Sequence, residues 1–169
     1  MNKNLIYDFE NFLKSNQQEF FSVARIITKD RDLAIESTAQ FFSEIYGLFE
    51  KKDIIDDKVE LYRLFIQVIR NVLKKSDKGY LLYIVEEPDE KVLNKKIDNI
   101  YMNKEEFYSY ILNASDKMGY IFREITALFD VALLTEKEIM SILEIDEKEF
   151  YYRVSKAREN MIYNLKSKI

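Results

Sequence analysis

The sequence predicts an all-α protein, made of two small helical domains joined by a linker. Apolar residues recur at three- and four-residue steps through most of the chain, which is the period of a helix with one buried face. Only 3 glycines and 1 proline occur in 169 residues, too few for a turn-rich β protein. Hydrophobic residues make up 47% of the chain, which is enough to build a packed core.

The composition also excludes several kinds of active site. Cysteine and histidine are both absent, so the chain has no disulfide, no thiolate or imidazole ligand for zinc, and no histidine to act as a general base. The glycines at 47, 79 and 119 lie far apart, which excludes a glycine-rich phosphate loop. We therefore expect no enzyme, no catalytic residue, no metal site and no cofactor.

The charge and hydropathy of the sequence limit where the protein can act and what it can bind. The N-terminal stretch "MNKNLIYDFENFLK" lacks the apolar run of a signal peptide, and no 18-residue apolar span occurs in the sequence. We expect a cytoplasmic protein without membrane insertion. The net charge of −4 argues mildly against a nucleic-acid partner, so the distribution of the basic residues matters more than their number.

Residues 1–77 are predicted to form the first domain, which begins with two helices. The first helix spans 4–28, and Thr28 or Asp30 is a candidate N-cap for the next helix. The second helix spans 31–50. Its apolar stripe consists of Ala34, Phe41, Phe42, Ile45 and Phe49. Its opposite side carries Glu36, Gln40 and Ser43.

The third predicted helix, 60–75, reads "ELYRLFIQVIRNVLKK" and has two distinct sides. Its buried side consists of Leu61, Leu64, Phe65, Val68 and Val72. At 100° per residue, four polar side chains align on the far side, and we call them the basic stripe: Arg63, Gln67, Arg70 and Lys74. Because the basic stripe contains no acid, it is suited to a phosphate backbone. A solvated helix face is the alternative.

Residues 78–104 are predicted to be the linker. The stretch "SDKGYLLYIVEEPDEK", 76–91, breaks the helical period between Gly79 and Pro88 and ends in an acidic run. Its segment "YLLYIV", 80–85, is too apolar for a free linker. We expect this segment to pack against another part of the chain, and a short strand is an alternative.

The second domain, 105–169, is predicted to contain helices at 105–114 and 118–131, followed by two short helices. These last two lie in "LTEKEIMSILEIDEKEFYYRVSKAREN", 134–160, on either side of the break "EID" at 144–146. Asp146 is a candidate N-cap for the final helix. A short helix, a tight turn and a helix with an exposed polar face are typical of a helix-turn-helix, although an ordinary helical hairpin has the same pattern.

The final helix of this pair has an apolar and a polar side. Phe150, Val154, Ala157 and Met161 are predicted to face inward. The outward side chains are Lys148, Tyr152, Ser155 and Lys156, flanked by Tyr151 and Arg153. Residues 151–169 contain five basic residues and one acid, so the tail is locally basic in an acidic chain.

The stretch from 134 to 160 resembles the C-terminal promoter-reading domain of bacterial sigma factors of the extracytoplasmic-function type. The usual wording there is L-S-Y-E-E-I-A-E-I-L-G-I-S-x-x-T-V-K-S-R-L-S-R-A-R-E-K-L. The matches in register are Leu134, Glu138, Ile139, Ile142, Leu143, Ile145, Arg153, Ser155, Ala157, Arg158 and Glu159. "REI" at 123–125 is similar to the family's R-E-V at the start of the preceding helix.

Two N-terminal motifs resemble the same family independently. "DRDLAIESTAQFFSEIY", 30–46, is similar to D-x-x-x-A-E-D-L-T-Q-E-V-F-L-x-V-W. "LFIQVIRNVLKK", 64–75, is similar to W-L-Y-R-I-A-R-N-L-A-I-D, with Arg70 and Asn71 as the fixed point. The motifs occur in the family's order, so the resemblance implies a sigma region 2-like three-helix unit followed by a sigma region 4-like helix-turn-helix unit.

The sequence departs from the family pattern at four positions. Ala39 stands where the family has Gln in its polymerase-contacting helix, and Lys75 replaces an Asp. Leu133 and Glu144 replace glycines before and within the helix-turn-helix. We therefore expect Glu144 to adopt a backbone conformation that the family gives to glycine.

The resemblance implies an alternative sigma factor that binds core RNA polymerase and directs transcription initiation at specific promoters. It assigns polymerase binding to Glu36, Gln40 and Ser43. It assigns the −10 element to Arg63, Gln67, Arg70, Asn71 and Lys74. It assigns the −35 element to Lys148, Tyr151, Tyr152, Arg153, Ser155, Lys156 and Arg158, with Lys166 as a further phosphate contact. An anti-sigma factor is a further implied partner.

Alternatives remain open at two levels. Arg153 or Arg158 could form an internal ion pair instead of a phosphate contact. The whole chain could be a degenerate sigma-like interaction protein, which binds polymerase or a regulator without reading promoters. An ordinary dimeric helix-turn-helix regulator is disfavoured by the N-terminal motifs.

Overall fold

The computed structural model describes residues 3–51, 55, 57–79 and 104–166, and every regular element within these ranges is a helix. The helices are α1 Lys3–Thr28, α2 Arg31–Lys51, α3 Lys58–Lys75, α4 Lys104–Ser115, α5 Tyr120–Thr126, α6 Glu136–Leu143 and α7 Glu147–Lys166. The all-α prediction is confirmed. None of the described helices combines the length and the apolar character needed to cross a membrane.

The structure differs from the predicted helix at 118–131 and leaves most of the predicted linker undescribed. The predicted helix 118–131 begins later, as α5, and continues into a π-helical segment, Ala127–Val131, in which the Ala132 amide bonds to the Ala127 carbonyl at 3.0 Å. A helical period does not distinguish these hydrogen-bond patterns over so few residues. The segment "YLLYIV" and nearly all of the predicted linker lie outside the described residues.

The starts of α2 and α7 are set by side-chain caps. Asp30 Oδ1 accepts hydrogen bonds from the amides of Asp32 and Leu33, at 2.8 and 3.0 Å, so Asp30 is the N-cap of α2. Thr28, the other candidate, instead donates back to the Ala24 carbonyl inside α1. Asp146 caps α7 through the Glu149 amide at 2.8 Å, which confirms that prediction.

Helices α1, α2 and α3 pack around an aromatic core. The rings of Phe20, Phe41 and Phe65 are mutual neighbours, with centroid separations of 4.5, 4.8 and 4.9 Å. The three rings are 0–3% exposed, and the whole predicted apolar stripe of α2 is buried. Each aromatic pair at such a distance adds about 0.5–1.5 kcal/mol beyond the burial of its area.

Helix α3 is buried over a wider arc than its sequence pattern indicates. Phe65, Val68 and Val72 are buried as predicted, whereas Leu61 and Leu64 are only half-buried. Ile66 and Ile69, which were not predicted to face inward, are 0–1% exposed. The reason is that α3 packs against α1 and α2 on one side and against α6 on the other. A single hydrophobic cluster extends from Phe20 in α1 to Met161 in α7.

Polar side chains also join the two halves of the chain. The guanidinium of Arg123, in α5, is only 1% exposed and donates from Nε to the Ile27 carbonyl of α1 at 2.8 Å. Its Nη1 donates to the Met118 carbonyl at 3.0 Å. Lys58, in α3, donates to the Ala132 carbonyl at 3.5 Å. The two predicted domains therefore pack directly on each other, while their boundaries stay a prediction.

Candidate nucleic-acid interface

The first helix of the predicted helix-turn-helix begins with a capping box. The Thr135 hydroxyl accepts from the Glu138 amide at 3.4 Å, and Glu138 Oε2 accepts from the Thr135 amide at 2.7 Å. The hydrogen bond from the Thr135 backbone lowers the pKa of the Glu138 carboxyl. This reciprocal pair fixes the start of α6 and stabilises it by about 0.5–2 kcal/mol.

The turn between α6 and α7 is formed without glycine. Glu144 has φ 56° and ψ 45°, in the left-handed region, and the Ile145 amide reaches back to the Met140 carbonyl at 3.1 Å. Leu133, at the other position where a glycine is missing, has φ 52° and is 74% exposed. Glu144 therefore has the left-handed backbone conformation that the sequence predicted. Both Glu144 and Leu133 adopt conformations that favour glycine.

Helix α7 presents the predicted candidates on its exposed side. Phe150, Ala157 and Met161 are buried, and the Phe150 ring lies 6.1 Å from that of Phe129 in the π-helical segment. The exposed side chains are Lys148, Tyr151, Tyr152 and Ser155, while Arg153, Lys156 and Arg158 are half-buried. Four of the seven candidates are thus exposed on one helix, and three are half-buried. The side chain of Lys166 lies outside the described residues.

The two tyrosines differ in their surroundings. The Tyr151 hydroxyl donates to Glu136 of α6 at 2.9 Å, and this hydrogen bond raises the pKa of the Tyr151 phenol. The Tyr152 ring lies 6.4 Å from the ring of Phe122 in α5. Both keep large exposed fractions, 48% for Tyr151 and 41% for Tyr152. Their rings thus remain accessible to a partner.

Three cations of α7 form internal ion pairs. Arg153 contacts Glu149 at 2.8 Å, and Lys156 contacts Glu159 at 3.2 Å. Both pairs lie within α7. Arg153 therefore forms the internal ion pair that the sequence allowed as an alternative to a phosphate contact. The phosphate contact of Arg153 stays a prediction.

The third ion pair joins α7 to the π-helical segment. Arg158 donates from both terminal nitrogens to Asp130, at 2.5 and 2.8 Å. Burial raises the pKa of the Asp130 carboxyl, while the hydrogen bonds and charge of Arg158 act in the opposite direction. Sequence reasoning did not single out Asp130, because it lies 28 residues before Arg158 and on a different helix.

The basic stripe of α3 is divided between solvent and the C-terminal half of the chain. Gln67 and Lys74 are exposed, as is the neighbouring Asn71. Arg63 and Arg70 are half-buried instead. Arg63 Nη2 donates to the backbone carbonyl and the hydroxyl of Ser141 in α6, at 3.0 and 3.1 Å. Thus two of the four stripe residues face another part of the same chain.

Arg70 is held by a buried carboxylate. Its Nε and Nη2 donate to the two oxygens of Glu124, both at 2.9 Å, and the Glu124 side chain is only 1% exposed. Tyr120 donates its hydroxyl to the same carboxylate. Burial alone would lower the pKa of the Arg70 guanidinium, but Glu124 outweighs burial and the net pKa is raised. The "REI" match at 123–125 was the only sequence signal at Glu124.

The candidate polymerase-binding residues lie on the outer side of α2. Glu36 and Ser43 are exposed, and Gln40 is half-buried and donates to Glu44 at 3.1 Å. Beside them, α1 and α2 enclose a groove of about 370 Å³. The groove is lined by Leu13, Gln17, Gln18, Phe21, Ile35, Thr38, Ala39 and Phe42. Ala39, which replaces a family Gln, therefore leaves the groove apolar at that point.

Comparison with known proteins identifies a shared fold. No protein-family model and no curated protein matches this sequence. Among solved structures, the chain is similar to CnrH, determined in complex with the cytosolic domain of CnrY. The TM-score is 0.62 at 12% identity, over 94% of this chain and 88% of that chain. The similarity therefore covers both halves of the protein, and at this identity it shows the fold.

Proposed function

We propose that this protein is an alternative sigma factor that binds core RNA polymerase and directs transcription initiation at specific promoters. The observation that carries the proposal is the fold shared with CnrH, a sigma factor of the extracytoplasmic-function type, over 94% of the chain. The motifs that resemble this family fall on α2, on α3 and on α5 to α7, in the family's order. We further propose that the protein acts in the cytoplasm and has no catalytic activity of its own.

The proposed polymerase contact is the exposed side of α2 with Glu36, Gln40 and Ser43. The neighbouring groove supports this role, because an apolar recess beside polar side chains is typical of the centre and rim of a protein interface. Ile35, which lines this groove, is 44% exposed and so adds apolar surface that a partner could cover.

The proposed promoter contacts lie on α3 and α7. On α3, Gln67, Asn71 and Lys74 together with Arg63 and Arg70 would hold the −10 strand, mainly through its phosphates. On α7, the exposed side chains Lys148, Tyr151, Tyr152 and Ser155 would meet bases of the −35 element, each bidentate base contact supplying about 1–3 kcal/mol of discrimination. Arg153, Lys156 and Arg158 would approach phosphates at the edges of that contact.

An anti-sigma factor is the proposed regulatory partner. CnrH was determined in complex with the cytosolic domain of CnrY. We propose that this chain likewise binds an inhibitory protein domain.

The proposal is tested by run-off transcription. Core polymerase from the source organism is incubated with sheared genomic DNA, with and without this protein, and the transcript ends are sequenced. We expect discrete new start sites that share upstream elements. Absence of new start sites, together with absence of a core complex on gel filtration, would contradict the proposal.

A second candidate function is a sigma-like interaction protein that binds polymerase or a regulator without reading promoters. The specific observation in its favour is that Arg153, Lys156 and Arg158 are all ion-paired within the chain. The paired carboxylate offsets the charge of each cation and repels a phosphate, which weakens the −35 contact. Stable binding to core polymerase without any new start site would support this function over the first.

Added negative charge on the exposed side of α7 separates the two functions further. Lys148→Glu with Ser155→Glu changes exposed side chains, so folding is expected to be unaffected. Under the sigma-factor proposal, this variant binds core polymerase normally and loses promoter-dependent transcripts. Lys14→Glu with Ser15→Glu, at exposed positions of α1, is the matched control and is expected to retain them.

A further inference from the structure

The exposed side chains of α7 form one short stripe along the helix. They lie within about 100° of the helix surface, at 100° per residue. We call them the α7 stripe: Lys148, Tyr151, Tyr152 and Ser155. Over the length of this stripe a helix rises about 10 Å, which is enough to meet about three or four consecutive base pairs.

No arginine belongs to the α7 stripe. The guanidinium of Arg153 pairs with Glu149 at 2.8 Å, on a side chain that is only 15% exposed. The guanidinium of Arg158 donates to both carboxylate oxygens of Asp130. Arginine on guanine is the commonest base-specific contact in the major groove, so the stripe lacks the usual reader of guanine. Lys148 is the stripe residue that is suited to a bidentate contact with guanine.

Two aromatic rings occupy the centre of the stripe. Tyr151 and Tyr152 stand where the family wording has Lys and Ser, and they are 48% and 41% exposed. The Tyr151 hydroxyl donates to Glu136 of α6, which occupies the polar end of that side chain. The Tyr152 ring lies edge-on to the ring of Phe122, with centroids 6.4 Å apart, and this contact positions it. Both residues therefore offer a positioned apolar ring to a ligand.

The surroundings of Tyr151 favour a base edge over a phosphate. The hydrogen bond to Glu136 raises the pKa of the Tyr151 phenol, and the charge of Glu147 adds to this effect. Two carboxylates therefore lie close to this ring, and their negative charge repels a phosphate group. The family wording has a cation at this position, which attracts a phosphate or the acceptor atoms of guanine. The exchange of the cation for a ring thus alters what this position can contact.

Thymine is the base that matches an apolar ring. Of the four bases, thymine presents a methyl group in the major groove, whereas the others present hydrogen-bonding atoms there. Apolar side chains contact this methyl group, and tyrosine combines an apolar body with a polar tip.

We propose that Tyr151 and Tyr152 read thymine methyl groups at neighbouring base pairs of the −35 element. The inference rests on the proposed function and names the class of DNA sequence that α7 selects. The chain selects thymine where the family wording has a cation, and Lys148 adds a guanine on the side of the turn before α7.

In vitro selection tests which bases the protein chooses. Holoenzyme, formed from this protein and core polymerase of the source organism, retains duplexes from a pool of random sequence, and core polymerase alone gives the background. We expect an enriched upstream element with at least two thymines at neighbouring base pairs, on either strand. Tyr151→Lys is expected to change one of these thymines to guanine, because lysine contacts guanine bidentately. Guanine or cytosine at both of these base pairs with the parent protein would overturn the inference.

Replacement of thymine by deoxyuridine tests the methyl contact directly, because deoxyuridine pairs like thymine and lacks only the methyl group. In fluorescence anisotropy with the selected duplex, we expect each replacement to weaken holoenzyme binding roughly fourfold, the effect of one buried carbon group. Tyr151→Ala with Tyr152→Ala should bind both duplexes equally. Tyr151→Phe with Tyr152→Phe should keep the difference, since only the hydroxyls are lost. Phe107→Ala, which removes an exposed ring from α4, is the matched control and should behave as the parent protein does.

The outcomes separate this inference from the proposed function. Binding by the parent protein that is unchanged by deoxyuridine, or that changes equally in the double alanine variant, would overturn the inference. If run-off transcription still gives new start sites in that case, the sigma-factor proposal stands and only the inference fails. If holoenzyme retains no sequence beyond those retained by core polymerase alone, both fail. Gel filtration with core polymerase checks that every variant is folded and assembled.

Discussion

At the scale of single residues, the pair of helices α6 and α7 combines standard capping with unfavourable turn residues. Thr135, Glu138 and Asp146 are the residue types that helix starts favour, and each makes the expected hydrogen bonds. Glu144 and Leu133 instead hold positive φ angles of 56° and 52°. A side chain with a Cβ pays about 1–2 kcal/mol for the left-handed conformation, so the turn retains its geometry at a cost in stability.

Glu144→Gly is expected to stabilise the protein. Glycine relieves the left-handed strain but loses more backbone entropy on folding, so we expect a net gain of about 0.5–1 kcal/mol in the free energy of unfolding. Urea denaturation followed by circular dichroism measures the change. The control, Glu147→Gly, makes the same chemical change at the first residue of α7 and is expected to destabilise by less than about 1 kcal/mol, the cost of glycine in a helix interior. A loss of stability in Glu144→Gly would contradict the strain argument.

Asp30 is expected to contribute a pH-dependent stabilisation. The hydrogen bond from Lys78, followed by that from the Leu33 amide, lowers the pKa of its carboxyl from 3.8 to about 2. A carboxyl with a lowered pKa in the folded state stabilises the fold above pH 3.8 and loses this contribution as the pH falls to about 2. Asp30→Asn keeps the N-cap but cannot ionise. Its deficit against the parent should therefore shrink between pH 4 and 2 in urea titrations, and a constant deficit would contradict this account.

At the scale of elements, sequence periodicity predicted the helices well and their contacts poorly. The stripe of α2 is buried as predicted, as are Phe150, Ala157 and Met161 of α7, because each set is a property of one amphipathic helix. The ion partners of Arg70 and Arg158 were not predicted. Glu124 and Asp130 lie 54 and 28 residues away, and no local pattern indicates which helices meet.

Arg158→Gln is expected to destabilise the attachment of α7 to the π-helical segment. It leaves Asp130, whose side chain is 10% exposed, without its cation, at a cost of about 1–3 kcal/mol at pH 7. Burial already raises the pKa of the Asp130 carboxyl, and without Arg158 that pKa should rise further. A carboxyl whose pKa is raised in the folded state destabilises the fold as the pH rises through that pKa. The loss of stability of Arg158→Gln relative to the parent protein should therefore be smaller at pH 4 than at pH 7. Recovery of stability in Asp130→Asn with Arg158→Gln is the matched check.

At the scale of the whole molecule, the sequence predicted two units separated by a linker, and the structure joins the described helices of both into one core. The apolar stripe of α3 suggested a single buried side, and its wider burial could not be foreseen without knowing that α6 packs there. One polar connection between the two halves is Arg123, a buried arginine that reaches the last turn of α1. The "REI" match at 123–125 indicated a resemblance but not this contact, since a buried arginine has no distinct period.

Arg123→Met is expected to uncouple the two halves. Methionine fills much of the same volume but leaves the Ile27 carbonyl without its donor in a buried position, at a cost of about 1–3 kcal/mol. Native-state hydrogen exchange measures the free energy of opening for each helix separately. In the parent protein, the slowest amides of α2 and α7 should exchange with similar free energies, because one core joins them. In Arg123→Met, the amides of α7 should exchange with a lower free energy than those of α2. An equal decrease in both helices would show that Arg123 stabilises the molecule as a whole and does not specifically join its halves.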